Sequence, residues 1–219
     1  MITIGNTNIT KAYLGQTELK NIAIGNELLL SSEPAPLPYD AEVEYLESTG
    51  TQWIDTGINA DSALFYEIKV QATTTSTQRM GALTINPSVK RHHFSIPESS
   101  TKLVSFGYGT NAPVNNVTYN TNPHTFSLRN KTAKVDGSIV TTFNNTFDCG
   151  INFYLFARNG STILPASARV YWCKLYNLDS LIRDYIPVRI GTTGYMYDKI
   201  SGTLFGNDGT GVFILGNDV

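Results

Sequence analysis

The sequence predicts an all-β protein: a short β-repeat anchor over residues 1–30, a proline-rich linker over 31–40, and an antiparallel two-sheet sandwich over 41–219. Three observations point there. Of 219 residues, 26 are Thr, 18 Gly and 12 Tyr, while charged side chains make up only 16%; Thr and Tyr suit pleated strands and Gly supplies tight turns, so long helices are disfavoured. Short apolar runs recur between turn signals at the spacing of a sandwich. The first thirty residues also carry a repeat.

In that repeat, Ile4-Gly5-Asn6-Thr7, Leu14-Gly15-Gln16-Thr17 and Ile24-Gly25-Asn26-Glu27 align at a spacing of ten, with Ile9, Leu19 and Leu29 also in register. Each unit reads as a short strand closed by a Gly-Asn or Gly-Gln turn, because both residue types tolerate positive φ. One such unit cannot bury its own apolar face, so Ile4, Ile9, Leu14, Leu19, Ile24 and Leu29 are the expected anchor and oligomer-interface residues. Pro34, Pro36 and Pro38 then fix φ and favour an extended spacer.

From residue 41, candidate strands are Glu42–Leu46, Trp53–Ile54, Leu64–Val70, Arg79–Ile85, His92–Ile96, Leu103–Tyr108, Thr125–Arg129, Ala133–Val135, Ile139–Phe143, Asn152–Ala157 and Ala168–Tyr176. Asp136-Gly137 between two of them fits a type I′ hairpin turn. A single helical turn is expected around Ser180–Arg183. The Gly- and aromatic-rich tail, 191–219, reads as a structural wrap with Tyr195, Tyr197 and Phe205 buried as clips. Trp53 and Trp172 fall in strand patterns and are expected in the core.

Composition excludes several classes. A net charge of −2 from 16 basic and 18 acidic side chains, with no Lys/Arg stripe, argues against nucleic acid as partner. No apolar run approaches the ~20 residues of a membrane span, and Met1–Gly5 lacks the basic and apolar regions of a signal peptide. Cys149 and Cys173 are too few for a disulfide framework and have no metal spacing; Cys173 sits in an apolar strand pattern as a small hydrophobe.

Several stretches together resemble one family. They are Glu44–Gly57 (EYLESTGTQWIDTG), Phe153–Asn159, Ala168–Tyr176, Arg183–Arg189 (RDYIPVR), Gly194–Asp198 (GYMYD) and Leu204–Asn207. In this order they are similar to the concanavalin-like (laminin-G-like) domains of structural proteins of tailed bacteriophages. The decapeptide step Tyr13–Glu18 is similar to N-terminal segments of phage proteins with that layout. The resemblance implies a jelly-roll sandwich displayed on a virion, as a head fibre or capsid decoration, with a tail-fibre component as the alternative. It further implies assembly in the bacterial host cytoplasm, homotrimers or dimers, and capsid proteins as partners. A bacterial carbohydrate-binding module is the competing reading.

No enzyme is expected. Glycoside hydrolysis needs two carboxylates flanking the scissile bond; Glu42 and Glu44 share a strand face, but the resemblance's further Asp is missing. The adjacent His92 and His93 point to opposite faces of a strand and cannot share a metal. Asp136, Asp148 and Asp208 are loop carboxylates without an EF-hand spacing. No cofactor or metal is therefore expected. Sugars stack on aromatic rings and hydrogen-bond to Asn, and the region holding Tyr108, Asn111, Asn116 and Tyr119 reads as a polar, aromatic loop, the candidate site for host or mucus glycans.

Overall fold

The computed structural model describes residues 36–219 except 75–77, 86–87, 97–102 and 119; of residues 103 and 112–118, and of the strands within 1–35, it describes the backbone only. The chain divides into two compact units, Met1–Pro38 and Tyr39–Val219, a division that falls inside the proline segment.

In the first unit, β1 (Ile2–Ile4) pairs with β2 (Thr7–Ile9), β3 (Tyr13–Leu14) with β4 (Thr17–Glu18), and β5 (Asn21–Ile24) with β6 (Glu27–Ser31), giving three two-stranded antiparallel sheets. Ile4↔Thr7, Leu14↔Thr17 and Ile24↔Glu27 close each pair across two intervening residues. One decapeptide is therefore one hairpin. Ile4, Ile9, Leu14, Ile24 and Leu29 occupy strand positions, whereas Leu19 lies outside the described residues.

The second unit is built from two antiparallel-rich sheets packed as a sandwich. The larger runs β17 (Ser138–Thr142), β16 (Thr132–Val135), β15 (His124–Arg129), β10 (Leu64–Ala72), β21 (Ser167–Asn177), β22 (Ser180–Ile190), β23 (Thr193–Asp198) and β24 (Thr203–Phe205). Three short strands attach to it: β8 (Leu46–Thr49) pairs with β21, β25 (Ile214–Leu215) with β8, and β7 (Ala41–Glu42) with β22. The smaller runs β14 (Asn111–Thr118), β13 (Leu103–Gly109), β12 (Lys90–Ile96), β11 (Gln78–Thr84), β19 (Ala157–Asn159) and β20 (Leu164–Pro165). Only its β11–β19 pair is parallel. An antiparallel ribbon of β9 (Ile54–Asp61) and β18 (Asp148–Leu155) completes the unit. No helix occurs among the described residues.

Alternation fixes the core. Tyr66, Ile68 and Val70 of β10 and Phe126 and Leu128 of β15 are buried from one sheet, while Met80, Ala82, Phe94 and Phe106 are buried from the other. Ring contacts cross between them: Phe94 lies 4.9 Å from Phe126 and 5.2 Å from Tyr66, and Phe153 of β18 lies 5.5 Å from Tyr66. Such face-to-face interdigitation is the packing of a sandwich.

The predicted strands from 64 to 176 are found, most within a few residues of the expected bounds. Asp136 (φ 48) and Gly137 (φ 80) form the expected turn, with both central residues at positive φ. Three expectations are corrected. Ser180–Arg183 is not helical but opens β22, because the hairpin from Asn177 to Ser180 turns through Leu178, held at φ 51, whose N–H donates to Ala63 O at 2.8 Å. The tail begins as sheet, and in β23 it is Gly194, Met196 and Asp198 that face inward, so Tyr195, Tyr197 and Phe205 are half-buried and not buried clips. Finally, Trp53 and Trp172 are only half-buried. Trp53 stacks on Tyr154 at 4.7 Å.

The tail locks the start of the unit. Asn207 Oδ1 accepts Trp53 N–H at 3.2 Å and Gly209 N–H at 2.8 Å, Asp208 Oδ2 accepts Asp55 N–H at 2.8 Å, and Gln52 Nε2 donates to Val212 O at 3.0 Å. Gly209 is needed here, since a Cβ would meet Thr51 O at 2.1 Å. Phe213, 3% exposed, packs on Phe156 at 4.7 Å. Phe156 itself stands at φ 60 between β18 and β19, the joint at which the chain passes from the ribbon into the smaller sheet.

Candidate functional site

A concavity on the larger sheet lies where that sheet forks. β21 and β22 pair from Asn177↔Ser180 to Cys173↔Tyr185 and then separate. Beyond that point β8 takes the free edge of β21 (Val170↔Leu46 to Ser167↔Thr49), and β7 takes that of β22 (Val188↔Glu42). Pro187 suits the fork: it offers only a carbonyl, which accepts Val43 N–H at 3.0 Å, and has no N–H to leave unpaired. The resulting groove, about 400 Å³, is lined by Glu42, Val43, Glu44, Tyr171, Trp172, Lys174, Asp184, Ile186, Pro187, Lys199 and Val219.

A β-bulge aims the aromatics into it. The register of β10 against β21 runs Lys69↔Trp172 and then Val70↔Val170, so Tyr171 is the extra residue. A bulge breaks the period of two; Val170 and Cys173 both face the core with two residues between them, and Tyr171 and Trp172 both reach the groove. Around Tyr171 the geometry is fixed: its hydroxyl donates to Gln71 Oε1 at 3.0 Å, Tyr45 meets its ring edge-on at 5.5 Å, and Lys69 Nζ stands 5.3 Å from its centroid. Burial, more than the opposing pull of Arg169, raises the Tyr171 pKa, so the hydroxyl keeps its proton.

Charge lines the same groove. Lys199 Nζ is 3.7 Å from Asp184 Oδ2. Glu44 Oε2 accepts Asn217 Nδ2–H at 3.1 Å, and Glu42 Oε1 accepts the Tyr39 hydroxyl at 3.1 Å. Burial and that bond push the Tyr39 pKa up to about 12. Beside the groove, Arg169 Nε bonds Glu47 Oε2 at 2.6 Å while its guanidinium lies 4.5 Å over the Tyr45 ring. Aromatic faces with donors and acceptors close by match a saccharide, which presents apolar C–H faces and hydroxyls together.

The residues expected to form a polar loop lie elsewhere. Tyr108 is on β13 and fully buried, its ring 5.1 Å from Phe143 and 4.6 Å from Phe147 and its hydroxyl donating to Ser62 O at 2.7 Å; it offers no face to a ligand. Asn111 is exposed at the start of β14, 3.4 Å from Asn145, and Asn116 is a β14 strand position. Tyr119 lies outside the described residues. The segment is a hairpin edge, not a loop, since Leu103–Thr118 pairs with itself.

The loop carboxylates serve as turn acceptors. Asp136 binds His124 Nδ1 at 2.6 Å and Thr125 N–H at 2.8 Å. Asp148 accepts Asn59 Nδ2–H and Gly150 N–H, which together lower its pKa. Among the described residues no three His, Cys, Asp or Glu side chains are grouped to hold a metal ion. His92 and His93 are both buried and, as expected, on opposite faces: His92 Nε2 lies 2.8 Å from Leu64 O within the core, and His93 faces out of the smaller sheet. Both cysteines are buried and free, and burial pushes their thiol pKa values up.

Sequence reasoning missed Trp172 as a groove residue. The signal was present in the three-residue interval between the core positions Val170 and Cys173. What the fold and groove define is a two-sheet β protein with a polar, aromatic surface cleft. No known protein family, curated protein or solved structure matches the chain.

Proposed function

We propose that this chain is a structural protein of a tailed-bacteriophage virion, a head fibre or capsid decoration whose N-terminal repeat docks on the particle. Its jelly-roll, concanavalin-like domain is displayed and adheres to glycans through the groove at the β21–β22 fork. The reading rests on the residue resemblance, and one structural observation carries it furthest: the described strands between residues 2 and 31 pair as three two-stranded sheets. A lone two-stranded hairpin is marginal in water and gains stability by pairing or stacking with other strands. Copies of the chain and the capsid surface provide such partners, and a closed arrangement of three copies removes the hairpin edges. Adhesion proceeds by stacking and hydrogen bonding, without bond cleavage; Glu42 and Glu44 being tied to Tyr39 and Asn217 supports that division of labour.

Light scattering on the full chain tests the assembly. A trimer or dimer at micromolar concentration is expected, and replacing Ile4, Leu14 and Ile24 together by Ser should release monomers with a folded sandwich. A wild-type chain that is monomeric at that concentration defeats the reading. Trp172→Ala should weaken glycan binding at least tenfold, measured by ligand-observed NMR against a saccharide panel.

A further inference from the structure

The outward face of the smaller sheet holds a second cavity of different chemistry. It measures about 320 Å³ and is lined by Arg79, Leu83, Ile85, Val89, Arg91, His93 and Arg158. The sheet brings the arginines together: Arg79 and Arg91 come from the adjacent antiparallel strands β11 and β12, and Arg158 comes from β19, which is parallel to β11 with Gly81↔Arg158 in register. Gly81 and Gly107 flank His93 on its two neighbouring strands. A Cβ at Gly107 would sit 2.9 Å from Arg91 Cβ and 3.0 Å from His93 Cε1, so a bare backbone there makes room for both side chains.

Two features separate this cavity from an ordinary solvated face. Among the described residues, no ion pair joins Arg79, Arg91 or Arg158 to a carboxylate. Arg91 Nη1 reaches only the carbonyls of Thr110 and Asn111, at 3.3 and 3.4 Å. Nε of Arg158 also lacks a partner, and the ring of His93, 3% exposed, has only the Ala82 backbone to bond. A buried donor without an acceptor is destabilising, more so when it is charged. Arg158 feels this, its pKa lowered by burial and by the nearby Arg79. Burial, reinforced by Arg158, Arg79 and Arg91 and opposed by the Ala82 backbone, pulls His93 down to about 3, leaving it neutral at ordinary pH.

We infer that this cavity is an anion seat, binding the oxyanion group (carboxylate, sulfate or phosphate) of a small ligand whose apolar flank rests on Leu83, Ile85 and Val89. Guanidinium forks match planar and tetrahedral oxyanions bidentately. An anion partners the free Arg158 Nε, and His93 fills the floor of the seat between the arginines. The volume admits one sugar ring bearing an acidic group as readily as a free inorganic anion, so the chemistry is shared between those two sources. The seat is separate from the fork groove and does not rest on the glycan reading.

Calorimetric titration of the full chain at low ionic strength, with glucuronate, inorganic sulfate, inorganic phosphate and neutral glucose as probes, tests it. At least one of the three anions should bind ten or more times tighter than glucose, and its affinity should fall as salt is added. Glucuronate ahead of sulfate and phosphate assigns an acidic sugar, and the reverse order assigns a free anion. Arg158→Gln and Arg91→Gln should each lower the affinity at least fivefold, while Trp172→Ala leaves it unchanged, which separates this seat from the groove. If Arg91→Gln misfolds, Arg79→Lys, which keeps the charge but loses the fork, should still cost threefold. Anions no tighter than glucose, or an affinity indifferent to Arg158→Gln in a folded protein, overturn the inference.

Discussion

On the outer face of the larger sheet, three cations have partners among the described residues. Arg169 meets Glu47 and covers Tyr45, Arg129 lies 3.6 Å over the Tyr176 ring, and Lys199 faces Asp184. On the outer face of the smaller sheet, Arg79, Arg91 and Arg158 crowd round a neutral histidine with no carboxylate among the described residues. Both faces belong to strands of similar alternation, so the difference lies in which residues occupy the outward positions. Pairing charge stabilises one face; gathering like charge leaves the other in need of a counterion. Local departures of this kind are characteristic of functional sites.

The largest effect on the larger sheet is expected from Asp198→Ala, on its inward side. Asp198 is fully buried, accepts the N–H groups of Asp184, Ile200 and Ser201 and the Ser201 hydroxyl, and lies 3.6 Å from Arg183 Nε. Its loss leaves those donors and the arginine uncompensated, for a cost of about 3–5 kcal/mol in urea unfolding.

Acid separates the two sides next. His92 and His93 are lowered by burial to about 4 and about 3, below the ~6.5 of the unfolded chain. As pH falls below ~6.5 the unfolded state takes up protons that the folded state refuses, so stability falls with pH until each folded pKa is reached. Well inside that window the loss is about 1.4 kcal/mol per pH unit per histidine. Arg158→Leu, by removing a positive neighbour, should raise the His93 pKa and narrow its window; NMR titration reads that directly.

Two smaller substitutions should have opposite signs. Arg158→Leu is expected to stabilise by roughly 1 kcal/mol, since it removes a crowded, partly desolvated cation. Glu47→Gln is expected to destabilise by about 0.5–1 kcal/mol, because Arg169 is a third exposed and solvent already screens the pair. Equal signs in thermal melts would erase the contrast between the faces.

Much of the sandwich was legible because its strands obey simple alternation: Tyr66, Ile68 and Val70 announce an inward face, and Asp136-Gly137 announces its turn. The groove was not. It depends on an extra residue in β21 and on β7 and β8 entering the gap between β21 and β22, pairings some 120 to 150 residues apart that no local pattern encodes. Tyr108 misled for the opposite reason. Flanked by Gly107 and Gly109 it reads as loop, yet Gly107 faces His93 across the sheet as a clearance, and Tyr108 points the other way into the core. Asn130 and Lys131, at φ 46 and 60, form a turn that only Asn hinted at. The arginines looked scattered in sequence, and only the β11–β12 hairpin and the parallel β19 gather them.

Where the chain enters and leaves the second unit, its two ends run side by side: Val219 N–H donates to Glu42 O at 3.1 Å, Glu44 N–H to Asn217 O at 2.9 Å, and Arg189 clasps Asp218 at 2.6 Å. Removing the last three residues would therefore leave the Glu42 carbonyl and the Glu44 N–H at the entry strand without these partners. A tag or cargo fused after Val219 would emerge next to the entry strand.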